Sequence, residues 1–172
     1  MDPCRLARKA VFEYLKSGQI ITPPENLPNK LKQKAGVFVS LHEKNSGKLR
    51  GCIGTFLPTT ENIAKEIIEN AIKAATCDPR FEPVKKEELT RIYFSVDLLS
   101  QPKPVKNPEK LDPKKTGLIV STADGRRGLL LPDLPGIESP EEQINICRQK
   151  AGILSDESIS YQTFTVERNE EK

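Results

Sequence analysis

Two short stretches decide the fold: Gly36-Val37-Phe38-Val39-Ser40-Leu41-His42-Glu43 and Lys48-Leu49-Arg50-Gly51-Cys52-Ile53-Gly54-Thr55-Phe56, joined at Asn45-Ser46-Gly47. Alternating runs that flank a glycine-containing turn read as a β-hairpin. A three-residue loop over 45–47 sets Glu43 opposite Leu49, Leu41 opposite Gly51 and Val39 opposite Ile53, which gathers Val37, Val39, Leu41, Leu49 and Ile53 on one apolar face. Ser40, His42, Arg50, Cys52 and Gly54 then share the other face, with Ser40 across from Cys52 and His42 across from Arg50. A slip of one residue would scatter this polar set over both faces.

Helices flank the hairpin. Asp2-Pro3 supplies an N-cap and a first-turn proline, and Leu6, Ala7, Ala10, Val11, Tyr14 and Leu15 recur at helical spacing until Ser17-Gly18. A second helix is predicted from about Thr60 to Thr76, with Ile63, Ala64, Ile67, Ile68, Ala71, Ile72 and Ala75 as its buried stripe, ending before Asp78-Pro79. Arg91 to Leu99 reads as a strand, and the Pro/Lys-rich stretch 101–115 as a linker and subdomain boundary whose lysines form a solvated face. A second hairpin, Gly117 to Ser121 with Gly128 to Leu131, turns at Asp124-Gly125. Ser139-Pro140-Glu141-Glu142 opens a helix that Ala151-Gly152 closes, and Ser160 to Glu167 reads as one last strand. Hairpins interspersed with helices, without regular strand–helix–strand alternation, give the α+β class: mainly antiparallel or mixed sheets with packed helices.

Composition narrows the function classes. A chain of 172 residues buries about 70% of its extended surface, enough for a real core in one domain or two small subdomains. The 27 basic and 24 acidic residues are interleaved, for a net charge of 27 − 24 = +3, and there is no Trp beside three Tyr and six Phe. Neither a basic stripe nor a base-stacking surface is present, so nucleic acid is not the expected partner. No apolar run approaches a membrane span, and Met1-Asp2-Pro3-Cys4-Arg5 does not read as a secretion signal, so a cytoplasmic address is expected. Cysteines at 4, 52, 77 and 147 form no CxxC, and there is one His; no metal site and no cofactor are implied.

Chemistry concentrates at Leu49-Arg50-Gly51-Cys52-Ile53-Gly54. Two glycines interrupt a good strand, which weakens it unless something approaches closely. A thiol beside Arg50 is favoured as thiolate, and His42 would be its base, although a diagonal neighbour lies about 7–8 Å away between backbone positions. The plainer reading makes Cys52 a small apolar residue between packing glycines. Asp78-Pro79-Arg80-Phe81 could bind a carboxylate, present a pair to the Arg50 face, or form a rigid turn with an internal ion pair. Arg126-Arg127 reads as a solvated turn. Gly47-Lys48 lacks the rest of a phosphate-binding loop, and the GxxG at 51–54 lies in a strand instead of between helices.

With Leu49-Arg50-Gly51-Cys52-Ile53-Gly54, Asp78-Pro79-Arg80-Phe81, Gly128-Leu129-Leu130-Leu131-Pro132 and Lys150-Ala151-Gly152 in this order, the chain resembles the AMMECR domain family over nearly its whole length. The resemblance implies two α/β subdomains, a site at Arg50, Gly51, Cys52 and Gly54 with Asp78 and Arg80 as a second set, and association with a Memo-like protein and a radical SAM enzyme. The chain departs from many relatives in lacking Trp after Leu131-Pro132. Three readings follow. The first is an accessory or binding module whose Arg50 to Thr55 segment receives a peptide, a small acid or a partner. The second is an enzyme with Cys52 as nucleophile on a small anionic substrate, held by Arg50 or Arg80 with His42 as base. The third is a packing motif alone.

Overall fold

A computed structural model describes residues Met1–Glu171. The chain divides into two compact units: Met1–Leu99 with the residues from Glu167 onward, and Ser100–Val166. Each is built on its own four-stranded sheet, and the α+β class holds.

In the first unit α1 spans Pro3–Ser17, β1 Val37–Glu43, β2 Leu49–Thr55, α2 Ile63–Thr76, β3 Ile92–Leu99 and β8 Val166–Glu170. The sheet order is β2-β1-β3-β8, so β2 is an edge strand. The ends of α1 follow from its sequence: the Asp2 carboxylate accepts the Arg5 N–H, Pro3 occupies the first turn, and Gly18 closes the helix at φ 74°. Glycine is required there because a side chain rarely adopts the left-handed region. Both helices lay their apolar stripes on one face of the sheet, where Leu6, Ala7, Ala10, Ile67, Ile68, Ala71, Val37, Val39, Leu41, Phe94 and Val96 form one buried cluster. Full burial of each larger aliphatic side chain contributes about 1.5–3 kcal/mol.

The hairpin register matches the expectation at Val39–Ile53, Ser40–Cys52 and Leu41–Gly51, then shifts. His42 pairs with Leu49, not Arg50, because a bulge lies between Leu41 and His42. Arg50 is the extra residue, and Leu49 is exposed instead of completing the apolar face. The predicted start of α2 also moves. The helix begins at Ile63 with Asn62 as its N-cap. Thr59 and Thr60 turn back so that both amides and both hydroxyls donate to the Glu66 carboxylate.

The second unit carries β4 Lys103–Val105, β5 Gly117–Ser121, β6 Arg127–Leu130, α3 Pro140–Ala151 and β7 Ser160–Phe164, in the sheet order β4-β7-β5-β6. The capping box of Ser139 and Glu142 and the left-handed Gly152 bound α3 as its sequence requires. Gly128 has no room for a side chain: a Cβ there would lie 1.7 Å from the Cys147 carbonyl oxygen of α3. Two expectations are corrected here. The 101–115 stretch is not a plain linker, since it holds β4, paired with β7, and a 3-10 turn at Pro108–Lys110. The last strand is two strands in different sheets, β7 ending at Phe164 and β8 starting at Val166.

Among the described residues no helix is long and apolar enough to cross a membrane, and no group of three or more His, Cys, Asp or Glu gathers as a metal site.

Candidate functional site

The pleat divides the Arg50–Thr55 segment between two faces. Gly51 turns toward α2, where a Cβ would lie 2.2 Å from the Ala74 carbonyl oxygen. Thr55 also turns that way, its hydroxyl donating to Glu66 while Asn70 Nδ2 reaches it at 3.4 Å. Ile53 packs against the core. Cys52 and Gly54 face the other way. The Phe38 ring lies over Gly54, close enough that a Cβ there would sit 2.2 Å from its Cγ. The Ser40 hydroxyl donates to Cys52 Sγ at 3.2 Å. Phe38, Ser40, Cys52 and Gly54 are each half-buried, so together they form a small apolar face with one hydroxyl and one thiol at its centre.

The Asp78-Pro79-Arg80 turn grips the backbone of the same strand. Asp78 Oδ2 accepts the Cys52 N–H at 2.8 Å, and Arg80 Nη2 donates to the Cys52 carbonyl at 3.4 Å. The two side chains also pair with each other, through Nε at 2.9 Å and Nη2 at 2.7 Å. The guanidinium of Arg80 holds the buried Asp78 carboxyl well below its ordinary range, helped by the Cys52 and Arg80 amides against the opposing effect of burial. Asp78 in turn pushes Arg80 up. The internal ion pair is formed, and the pair meets the Cys52 backbone at the strand edge and not the Arg50 side chain.

Arg50 is occupied elsewhere. Its Nε and Nη2 donate to the Glu88 carboxylate at 3.0 and 3.2 Å, and Nη1 donates to the Glu82 carbonyl at 2.9 Å. Burial pushes Glu88 up, but the Lys85 amide and Arg50 outweigh it and leave the carboxyl below its ordinary value. His42 stacks on Tyr93 with ring centroids 5.0 Å apart, and its Nδ1 lies 3.2 Å from the Gly47 carbonyl oxygen. Among the described residues, no imidazole or carboxylate is hydrogen-bonded to the Cys52 sulfur.

Glu66 is the polar residue that sequence reading passed over. It is 1% exposed within the apolar stripe of α2. Burial raises its pKa, and the hydroxyls of Thr55, Thr60 and Thr59 with the Thr59 amide more than reverse that, so it is held below its ordinary value. The signal was present as a carboxylate on a buried helical face near three threonines.

Over residues 4–170 the sequence matches the AMMECR1 family. The chain belongs to that family. Among its AMMECR1 relatives a protein of Thermotoga maritima is 51% identical over 164 residues, covering 94% of this chain and 93% of its own length. A protein of Clostridium acetobutylicum is 48% identical and covers 99% of this chain, but the match takes up only 36% of that longer protein. The crystal structure of an uncharacterized protein of Pyrococcus horikoshii superposes with a TM-score of 0.89 at 38% identity, covering 99% of this chain and 90% of that one. In this AMMECR1 chain, Gly128 and Gly152 meet backbone demands, at a close approach to α3 and at its C-cap.

Proposed function

We propose that this AMMECR1 domain is a cytoplasmic accessory module that binds a partner on the outward face of its β1–β2 hairpin, with a Memo-like protein and a radical SAM enzyme as partners. What carries the reading is that the groups suited to catalysis are spent on one another. Arg50 answers Glu88, Arg80 answers Asp78, Thr55 answers Glu66 and His42 answers Gly47. The Phe38 ring over Gly54, beside the Ser40–Cys52 pair, leaves a shaped, half-buried face suited to contact more than to turnover. The long Clostridium relative fits this reading, since there the domain is about a third of a larger chain.

A second reading, Cys52 as nucleophile on a small anionic substrate, draws on the Arg80 guanidinium bonded to the backbone carbonyl of the thiol-bearing residue. Its charge is largely answered by Asp78, and among the described residues no base is bonded to the sulfur.

The two divide on one experiment. The purified chain is mixed with the Memo-like and radical SAM proteins of the same genome and followed by size-exclusion chromatography and calorimetry. Association that Phe38→Asp weakens by about tenfold or more and Cys52→Ser changes by less than about twofold supports the module. No association with either protein overturns the choice of partners. Turnover of a small anionic substrate that Cys52→Ser abolishes and Phe38→Asp spares gives the site to the enzyme.

A further inference from the structure

Away from the Cys52 face, and sharing none of its residues, α1 and the 3-10 turn Lys86–Thr90 enclose a groove of about 660 Å³. Arg5, Arg8, Lys9 and Phe12 reach it from α1 at the i, i+3, i+4 and i+7 positions that define one helical face. Lys44, Lys86, Leu89 and Thr90 also line it, and Glu87 is its one acid among the described residues.

The charges are unbalanced. Arg5 and Lys9 are exposed, and neither has a carboxylate partner among the described residues. The Lys86 ammonium lies 5.4 Å from the centroid of the Phe12 ring, and Lys44 donates to the Thr90 carbonyl at 3.0 Å. Arg8 alone is neutralised, by Glu171 at 2.5 Å. The groove also has an apolar base. Phe12 is 39% exposed and Leu89 is 6% exposed. On the far side of Arg5 and Arg8, Asp2, Glu170 and Glu171 line an adjoining cavity, so the basic character stops there.

We infer that this groove docks a short acidic segment of a partner protein that carries an apolar side chain among its carboxylates. The cations supply complementary charge around the rim, and Phe12 with Leu89 receives the apolar anchor. The apolar part of the lining is one phenylalanine and one nearly buried leucine, sized for a single side chain and not for a lipid surface. One face of Phe12 is taken by Lys86, which removes it as a platform for stacked bases.

The test uses the full chain, isotope-labelled, and a synthetic peptide of glutamates flanking a single leucine. Saturable binding is expected, with amide shifts gathered over Arg5–Phe12 and Lys86–Thr90 and an affinity that falls with salt. The double variant Arg5→Glu/Lys9→Glu, whose side chains are exposed and leave the fold intact by melting temperature, weakens binding by about tenfold or more. Phe12→Ser, or glycine in place of the peptide's leucine, weakens it several-fold. Absence of shifts at millimolar peptide, shifts centred elsewhere, undiminished affinity in the double variant, or capture by phosphatidylserine vesicles or single-stranded RNA in preference to the peptide would each overturn the inference. None of these outcomes touches the hairpin face, whose variants lie on other residues.

Discussion

Asp78 accepts the peptide N–H of Cys52 at 2.8 Å, across 26 residues of sequence. Because β2 is the edge of its sheet, that amide points away from β1 and would otherwise await a foreign strand. With Arg80 on the carbonyl of the same residue, the turn after α2 closes the edge at the one position that carries the thiol. The two motifs that the sequence shows far apart are therefore one structural unit.

That unit responds to acid. An Asp whose folded pKa is depressed below its ordinary 3.8 contributes stability above that value and loses it as pH falls toward the folded pKa. Asp78→Asn is expected to cost about 1–3 kcal/mol near neutral pH, chiefly from the amides of Cys52 and Arg80, since the half-exposed Arg80 is screened by water. The gap between wild type and variant should be constant from pH 5 upward and narrow below about pH 4. Urea denaturation at several pH values measures it, and a gap that widens in acid would contradict the assignment.

Gly51→Ala places a methyl group 2.2 Å from the Ala74 carbonyl oxygen, a backbone atom that cannot step aside alone. A loss of about 1–3 kcal/mol is expected from forcing β2 and α2 apart. Gly47→Ala adds no clash, and its cost comes only from the left-handed backbone at φ 68°. Chemical denaturation of the pair separates close packing from backbone strain.

The four cysteines should label in order of access. Burial pushes the Cys4 and Cys147 thiols up to about 12, with nearby acids adding to the effect at Cys4. Both should stay unmodified by iodoacetamide until the protein unfolds. Exposed Cys77 should label first and half-buried Cys52 after it. Mass spectrometry of the native protein against time reads this order, and Cys52 outpacing Cys77 would strengthen the case for a nucleophile.

Much of the fold was legible because its signals are local. Asp2-Pro3, Ser139-Pro140 and Gly152 bound their helices as their types require, since a cap depends on neighbours within one turn. The pairing of Ser40 with Cys52 followed from alternation together with a three-residue loop. What escaped depends on distant groups. The bulge that displaces Arg50 places its guanidinium on Glu88 and the Glu82 carbonyl, which lie beyond α2 in sequence. Glu66 reads as an ordinary helical acid until Thr55, Thr59 and Thr60 are seen around it. The final strand showed unbroken alternation, and the place where it changes sheets is set by which neighbours are available, not by its own residues.

That change of sheets governs the order of assembly. Everything in the second unit is contiguous in sequence, so it has all its strands before the last stretch is made. The first unit lacks β8 until the second has been made, and until then β3 is a bare edge and Asp97 has no Arg168 to pair with. Domains usually finish in the order they leave the ribosome. Here the first unit is interrupted by the second, and the thiol-bearing hairpin reaches its finished sheet only after the whole of the second unit has been made.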